Sequence, residues 1–71
     1  MGVYSTKEIS LMVNIPASTL RVYLGHYSFS KYYKGRKIEA SKEFYNTLLK
    51  YLWNGRGYKY IKGVERLIKN D

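Results

Sequence analysis

The pattern of apolar and polar residues near the start of the chain predicts a short, capped helix. Ser5 and Glu8 have the S/T-x-x-E spacing of a capping box, so this helix should begin near Thr6. Asn14 belongs to the residue types that end helices in the left-handed conformation. Between these two ends, apolar side chains recur at helical spacing at Ile9, Met12 and Val13.

A second short helix is predicted directly after a tight turn. Pro16 suits the start of a helix because its missing N–H would find no partner in the first turn. We expect this helix to run from Pro16 or Ala17 to about Leu24, where Gly25 ends it. With Leu20 directed to the core at about 100° per residue, the outward side and its flanks carry Ser18, Thr19, Arg21 and Val22.

Residues 26–40 interleave aromatic and β-branched side chains with cations, and this pattern predicts a two-stranded hairpin. Gly35 supplies a tight turn, and residues 31–33 and 37–39 on either side have strand-like composition. A lone hairpin is marginally stable in water, so this one should pack on the helices with Ile38 as its inward residue.

Two amphipathic helices complete the predicted fold. Ser41 can cap the first, which should end near Asn54, and the second should run from about Tyr58 to Lys69. The apolar positions of the first are Phe44, Tyr45, Leu48, Leu49, Tyr51 and Leu52, and those of the second are Tyr58, Ile61, Val64, Leu67 and Ile68. We expect the two to form an antiparallel pair behind the first two helices, giving a mainly α fold with a small β-hairpin.

Length and composition set limits on this fold. A chain of 71 residues has room for one domain with one small core. The absence of cysteine excludes a disulfide framework and a thiolate metal site. No apolar run approaches the ~20 residues that cross a bilayer. We therefore expect a soluble, cytoplasmic protein that makes no membrane association.

The charge distribution points to a polyanionic partner. The formal net charge is +8, and residues 26–42 alone carry +4 of it. A strongly basic small domain favours phosphate-rich polymers because each neutralised phosphate releases condensed counterions. Nucleic acid is therefore the leading class of partner, and the predicted hairpin is the most basic part of the chain.

The order of these elements resembles a known family. Residues 5–9, the run Asn14-Ile-Pro-Ala-Ser-Thr-Leu-Arg-Val-Tyr23, and residues 32–38 resemble the winged helix-turn-helix domain of the MerR family and the smaller excisionase-like proteins of mobile elements. The resemblance implies a helix-turn-helix over residues 1–25, a wing over 26–40 and a supporting helical pair over 41–71, all within one domain.

That resemblance also implies a mode of action. The second helix would enter the major groove of double-stranded DNA, Arg21 would lie near phosphate, and the wing would contact the backbone or the minor groove. Such proteins act as excisionases, which are recombination directionality factors, or as small transcriptional repressors of phages and plasmids. A recombinase as a partner, cooperative self-association on DNA and association with the nucleoid follow as expectations.

The candidate DNA contacts come from the outward face of the second helix and from the hairpin. Hydroxyl and guanidinium groups donate to bases and phosphates, and a valine can touch a thymine methyl. The plainer interpretation is that the hydroxyls favour the helix start and that the hairpin cations only prevent sheet-to-sheet pairing. The predicted DNA-binding residues are Ser18, Thr19, Arg21, Val22, Lys31, Tyr33, Lys34, Arg36 and Lys37.

The nine tyrosines leave other interpretations open. Tyr23, Tyr45, Tyr51 and Tyr58 are expected in or beside the core, whereas one of the neighbours Tyr32 and Tyr33 should face the helices and the other a ligand. Base stacking by such a tyrosine would indicate single-strand binding. The alternative function is a small phage-type interaction module or inhibitor that binds a host protein through a tyrosine-rich surface.

Catalysis and cofactor binding have little support in the sequence. His26 is the only histidine, and it has no cysteine or paired carboxylate beside it in the sequence to form a metal site. No nucleophile and base are placed together, and no glycine-rich phosphate loop is present. We expect a non-enzyme without a cofactor, a metal or a small-molecule ligand. Membrane binding by the basic last helix is the third-ranked function and is not expected, because the apolar face of this helix is needed for the core.

Overall fold

A computed structural model describes residues 2–55 and 57–69. The chain is mainly helical, with a small three-stranded antiparallel sheet in the order β1-β3-β2. The elements are β1 (Val3–Tyr4), α1 (Thr6–Val13), α2 (Ala17–Leu24), a 3₁₀ helix (Tyr27–Tyr32), β2 (Tyr33–Lys34), β3 (Lys37–Glu39), α3 (Lys42–Asn54), a short 3₁₀ turn (Tyr58–Tyr60) and α4 (Ile61–Lys69). No helix among the described residues is both long and apolar enough to cross a membrane.

The predicted ends of α1 are confirmed. The Ser5 side-chain oxygen accepts a hydrogen bond from the backbone N–H of Glu8 at 3.1 Å, and Glu8 accepts one from the backbone N–H of Ser5 at 2.9 Å. This reciprocal capping box satisfies two N–H groups that a helix start leaves unpaired. At the other end, Asn14 adopts the left-handed conformation with φ of 59°. Local side-chain chemistry therefore sets both limits of the helix.

The predicted span of α2 is also confirmed, and the structure chooses between its two possible starts. Pro16 precedes the helix with extended backbone, at φ −53° and ψ 139°, so Ala17 is the first helical residue. The backbone N–H of Leu20 donates to the Pro16 carbonyl at 2.9 Å, which closes the first turn. Gly25 ends the helix with an ordinary right-handed φ of −73°, so its lack of a side chain is not required there.

The region between α2 and β3 differs from the predicted hairpin. A strand was expected at residues 31–33, but Lys31 and Tyr32 belong to the 3₁₀ helix and only Tyr33 is in a strand. The 3₁₀ helix forms because Phe29 and Tyr32, three residues apart, lie on the same side of such a helix and are both buried. Burial of these two rings therefore outweighs the strand-like composition of the segment.

The sheet has one strand more than predicted. β1 pairs antiparallel with β3, placing Val3 opposite Glu39 and Tyr4 opposite Ile38. A strand of only two residues shows no alternation of apolar and polar positions, so the sequence gives no signal for it. The added strand ties the hairpin to the start of α1 and provides part of the support that a lone hairpin lacks.

One apolar core joins all the helices and the sheet. Ile38 is buried from the hairpin, as predicted, and the Phe29 and Tyr32 rings each meet Phe44 of α3 edge to face. The buried core residues are Ile9, Val13, Ile15, Leu20, Leu24, Phe29, Tyr32, Ile38, Ala40, Phe44, Tyr45, Leu48, Leu52, Ile61 and Val64.

α4 packs against α3, as expected of a helical pair, and also against α1. At Gly63 this helix approaches the backbone of α1 so closely that an added Cβ would overlap the Val13 carbonyl oxygen. One predicted core position in this region is wrong. Tyr58 is 65% exposed, because it lies in the 3₁₀ turn before α4 and packs against Trp53 instead of entering the core.

Candidate nucleic-acid interface

The outer face of α2 (Ser18, Thr19, Arg21 and Val22) points away from the core, as the helical period predicts. Leu20 and Leu24 are buried on the inner side, whereas Val22 is 71% exposed. Ser18 and Arg21 are exposed and Thr19 is partly buried. Ser18, Arg21 and Val22 therefore form an exposed face on α2 that carries one cation.

Arg21 has a structural interpretation as well as a functional one. It lies in the last turn of α2, where a cation interacts favourably with the negative end of the helix dipole. Among the described residues, no carboxylate forms an ion pair with it. Its guanidinium therefore remains available to an external anion.

The hairpin turn (Lys34, Gly35, Arg36 and Lys37) concentrates positive charge. Gly35 has a φ of +68° at the first central position, while Arg36 does not have a positive φ, which is the pattern of a type II′ turn. This geometry places Lys34 directly opposite Lys37 in the ladder. Like charges that face each other across two strands are unfavourable, and a bound anion would relieve that repulsion.

The three cations of the hairpin turn are exposed and unpaired within the described structure. Lys34, Arg36 and Lys37 are all exposed. Over residues 2–55 and 57–69 the only ion pair is between Lys31 and Glu43. β3, which begins at Lys37, pairs with β1 just before α1, so the hairpin turn lies near the start of α1. The pKa of Glu8 is lowered mainly by the hydrogen bonds from Ser5 and to a smaller extent by the charge of Lys37.

Lys31 is placed differently from the other predicted hairpin cations. Its Nζ lies 3.1 Å from a carboxylate oxygen of Glu43 in α3 and 5.3 Å from the centre of the Tyr32 ring. The hydrogen bond and charge of Glu43 raise the pKa of Lys31, and Lys31 lowers the pKa of Glu43. Lys31 thus links the 3₁₀ helix to α3. Of the four cations predicted to form the basic cluster, the three that remain unpaired are Lys34, Arg36 and Lys37.

The two neighbouring tyrosines divide as expected, one inward and one outward. Tyr32 is buried, and its hydroxyl lies 2.8 Å from the Thr47 hydroxyl. Tyr33 is 39% exposed on β2, opposite Ile38 and next to the hairpin turn. Tyr33 is therefore the tyrosine that shares a surface with the basic residues.

His26 has a local structural role. Its Nδ1 accepts a hydrogen bond from the backbone N–H of Ser28 and caps the 3₁₀ helix, and its ring stacks at 4.4 Å on Tyr27. No group of three histidine, cysteine or acidic side chains that could hold a metal occurs in the described part of the chain. His26 is therefore explained by capping and ring packing.

The exposed pair of Trp53 and Tyr58 was not predicted as a contact surface. The Trp53 and Tyr58 rings meet at 5.1 Å on the surface formed by the end of α3 and the start of α4. Position 53 lies outside the apolar stripe predicted for α3, and a tryptophan at such a position is itself a signal of an exposed contact surface.

The predicted contact residues thus form two groups, the outer face of α2 and the hairpin turn with Tyr33, while Lys31 forms a solvent-exposed ion pair with Glu43. Comparison with known proteins adds no further assignment: no protein-family model, curated protein or solved structure matches this chain.

Proposed function

We propose that this protein is a sequence-specific double-stranded DNA-binding protein with a winged helix-turn-helix architecture. In this proposal α2 enters the major groove and the hairpin acts as a wing on the backbone or in the minor groove. The observation that carries it is the cluster of three exposed, unpaired cations at the hairpin turn of a domain that also presents the polar outer face of α2. The resemblance of residues 5–9, 14–23 and 32–38 to the MerR family and to excisionase-like proteins supports the same interpretation.

Most of the affinity should come from the hairpin turn. Arg36 lies in the two-residue turn and Lys34 and Lys37 flank it. Each phosphate that they neutralise contributes about 0.9 to the slope of log affinity against log salt concentration. Lys31 contributes less, because Glu43 already balances its charge. The role of the hairpin is therefore to supply strong, salt-dependent attraction without reading bases.

Specificity should come from the outer face of α2 and should be modest. Ser18 and Arg21 offer hydrogen-bond donors, Thr19 is only partly exposed, and Val22 offers an apolar contact for a thymine methyl. Each good base contact contributes about 1–3 kcal/mol of discrimination. So few contacts favour a protein that binds several adjacent copies of a site, or that reads DNA shape through the hairpin.

Two biological roles follow from such a binder, and both come from the family resemblance. One is an excisionase that assembles side by side on repeated sites and directs a recombinase. The other is a small transcriptional repressor of a phage or plasmid, acting at the nucleoid. The arrangement of the target sites distinguishes them: direct repeats indicate the first role and an inverted repeat indicates the second.

Selection from a pool of random duplexes, followed by sequencing, tests this proposal. We expect the wild-type protein to enrich a short motif. A Ser18→Ala plus Val22→Ala variant should give a relaxed motif, and an Arg36→Ala plus Lys37→Ala variant should give the same motif at lower yield. A folded wild-type protein that enriches no motif would contradict sequence-specific binding.

A protein-interaction module remains the second candidate function. The observation that favours it is the exposure of aromatic side chains away from the hairpin, at Tyr27, Trp53 and Tyr58. A pull-down that recovers a stoichiometric protein partner, from a protein whose duplex binding is salt-dependent but not sequence-specific, would favour this function over the first.

A further inference from the structure

A groove lies between the end of α3 and the start of α4, on elements that are separate from α2 and the hairpin. It has a volume of about 390 Å³ and is lined by Trp53, Tyr58, Lys59, Ile61, Lys62 and Glu65. The two rings on it remain substantially exposed, Trp53 at 55% and Tyr58 at 65%. Two large aromatic side chains that are exposed side by side form an apolar surface patch, and such patches mark interaction sites.

The charges around this groove are mainly positive. Lys59 and Lys62 line it, and Arg66 and Lys69 continue the exposed basic surface along α4. Glu65 is the single acid in that stretch of described sequence. An occupant with complementary charge must therefore be acidic, and it must also present an apolar group to the aromatic rings.

We propose that this groove, the Trp53–Tyr58 groove, binds an acidic segment of another protein that packs a large apolar side chain into the corner formed by the two rings. Trp53 and Tyr58 meet edge to face at 85°, so they form a corner for a side chain instead of two parallel faces for stacked bases. The Glu65 carboxylate can accept a hydrogen bond from a peptide N–H. A buried aromatic contact surrounded by complementary charge is the usual composition of a binding hot spot.

A second copy of this chain fits the groove poorly. Each copy carries a net charge of +8, so docking would bring like charges together. The lysines that attract an acidic segment would repel another copy. The groove therefore extends the function beyond DNA, by allowing a DNA-bound domain to hold a second, acidic protein through a separate surface.

The test uses synthetic peptides and the full chain. The probe is the peptide Asp-Asp-Glu-Leu-Phe-Asp-Glu-Asp, and its control replaces Leu-Phe with Ser-Ser at the same charge. Trp53 is the only tryptophan of the protein, so its fluorescence emission reports occupation of the groove directly. We expect the Leu-Phe peptide to shift this emission to shorter wavelength in a saturable way, and the Ser-Ser peptide to leave it unshifted.

Variants then locate the binding, with labelled-peptide anisotropy as the readout. Tyr58→Ala should weaken the Leu-Phe peptide about tenfold, whereas Tyr27→Ala, which removes an exposed tyrosine elsewhere, should not. Lys62→Glu should weaken it by about fivefold. Lys34→Glu changes the net charge equally at the hairpin turn and should have little effect. Circular dichroism and thermal melting of each variant check that it is folded.

Three results would overturn the proposal. Equal binding of the two peptides would show that the aromatic corner takes no apolar anchor. Equal weakening by Lys62→Glu and Lys34→Glu would show attraction by overall charge alone. Tighter binding of single-stranded oligothymidine than of the Leu-Phe peptide, lost in Tyr58→Ala, would assign the groove to nucleic acid. Tyr58→Ala should bind duplex DNA as tightly as the wild type does. A failure of peptide binding can therefore be distinguished from a failure of the DNA-binding proposal.

Discussion

At the scale of single residues, much of this small structure depends on short local contacts. Ser5 and Glu8 set the start of α1, and Lys31 with Glu43 joins the 3₁₀ helix to α3. The Lys31–Glu43 pair is exposed to solvent and therefore contributes little to stability. The capping box contributes more, because it satisfies backbone N–H groups that otherwise have no partner.

Ser5→Ala should destabilise the protein by about 1 kcal/mol, the usual loss on removing a helix N-cap. Chemical denaturation at neutral pH measures this change. The control is Ser18→Ala, which removes an exposed serine hydroxyl and leaves the capping box intact. If Ser5→Ala left the free energy of unfolding unchanged, the capping box would not contribute to the stability of α1.

The capping box also predicts a pH dependence. Hydrogen bonds from Ser5 hold the pKa of Glu8 below its ordinary value of about 4.3. The stabilisation is therefore complete above that value and is lost as the pH falls through the lowered pKa of the folded protein. Glu8→Gln should reduce the loss of stability between neutral pH and about pH 3. The control is Glu39→Gln, which removes an exposed carboxylate that caps no helix, and its loss of stability should stay larger than that of Glu8→Gln. Identical acid profiles for wild type and Glu8→Gln would contradict this.

Gly63 is needed because α4 approaches α1 too closely for any side chain at that position. Gly63→Ala should cost about 1–3 kcal/mol, since the helices must separate to remove the overlap with the Val13 carbonyl. Gly25→Ala is the matched control: its φ of −73° suits alanine, and the nearest atom to an added Cβ is 3.4 Å away. Equal denaturation midpoints for the two variants would show that the close approach is not required.

At the scale of elements, periodicity and capping predicted the four α-helices more closely than they predicted the segment between α2 and β3. The two ends of α1 and the start of α2 could be predicted because Ser5, Asn14 and Pro16 act on their immediate neighbours. The 3₁₀ helix and β1 could not, because both depend on contacts with distant residues. Phe29 is buried against α3, and β1 exists only as a partner of β3.

The same reason explains what was predictable in the candidate site. The outward position of Ser18 and Val22 follows from the helical period alone, and the basic hairpin turn follows from Gly35 and its flanking cations. The pairing of Lys31 with Glu43 did not follow, because it needs the packing of the 3₁₀ helix on α3. The exposed corner of Trp53 and Tyr58 likewise depends on how α4 follows α3.

Attachment of the 3₁₀ helix to α3 can be measured through Tyr32. Its hydroxyl lies 2.8 Å from the Thr47 hydroxyl, so Tyr32→Phe should destabilise the protein by about 0.5–1.5 kcal/mol while preserving the buried ring. Tyr33→Phe is the matched control, because Tyr33 is exposed and should tolerate the change. Denaturation curves in which Tyr33→Phe is the more destabilised of the two would contradict the observed division of the two tyrosines.

At the scale of the whole molecule, the distribution of charge separates two surfaces with different expected partners. The hairpin turn carries three cations next to Tyr33, while α4 carries cations beside the Trp53–Tyr58 groove. A net charge of +8 alone would attract any polyanion weakly. The central claim is more specific: duplex DNA is bound at the hairpin turn, and the basic residues of α4 take no part in that contact.

The most direct test is a fluorescence anisotropy titration of duplex DNA at about 50 mM and about 200 mM salt. Arg36→Ala plus Lys37→Ala is compared with Lys62→Ala plus Arg66→Ala, which removes the same charge from α4. We predict that the hairpin variant loses at least about tenfold in affinity and about 1.8 in salt slope, while the α4 variant stays close to wild type. Equal losses in the two variants, or wild-type affinity that does not change with salt, would contradict the proposed interface.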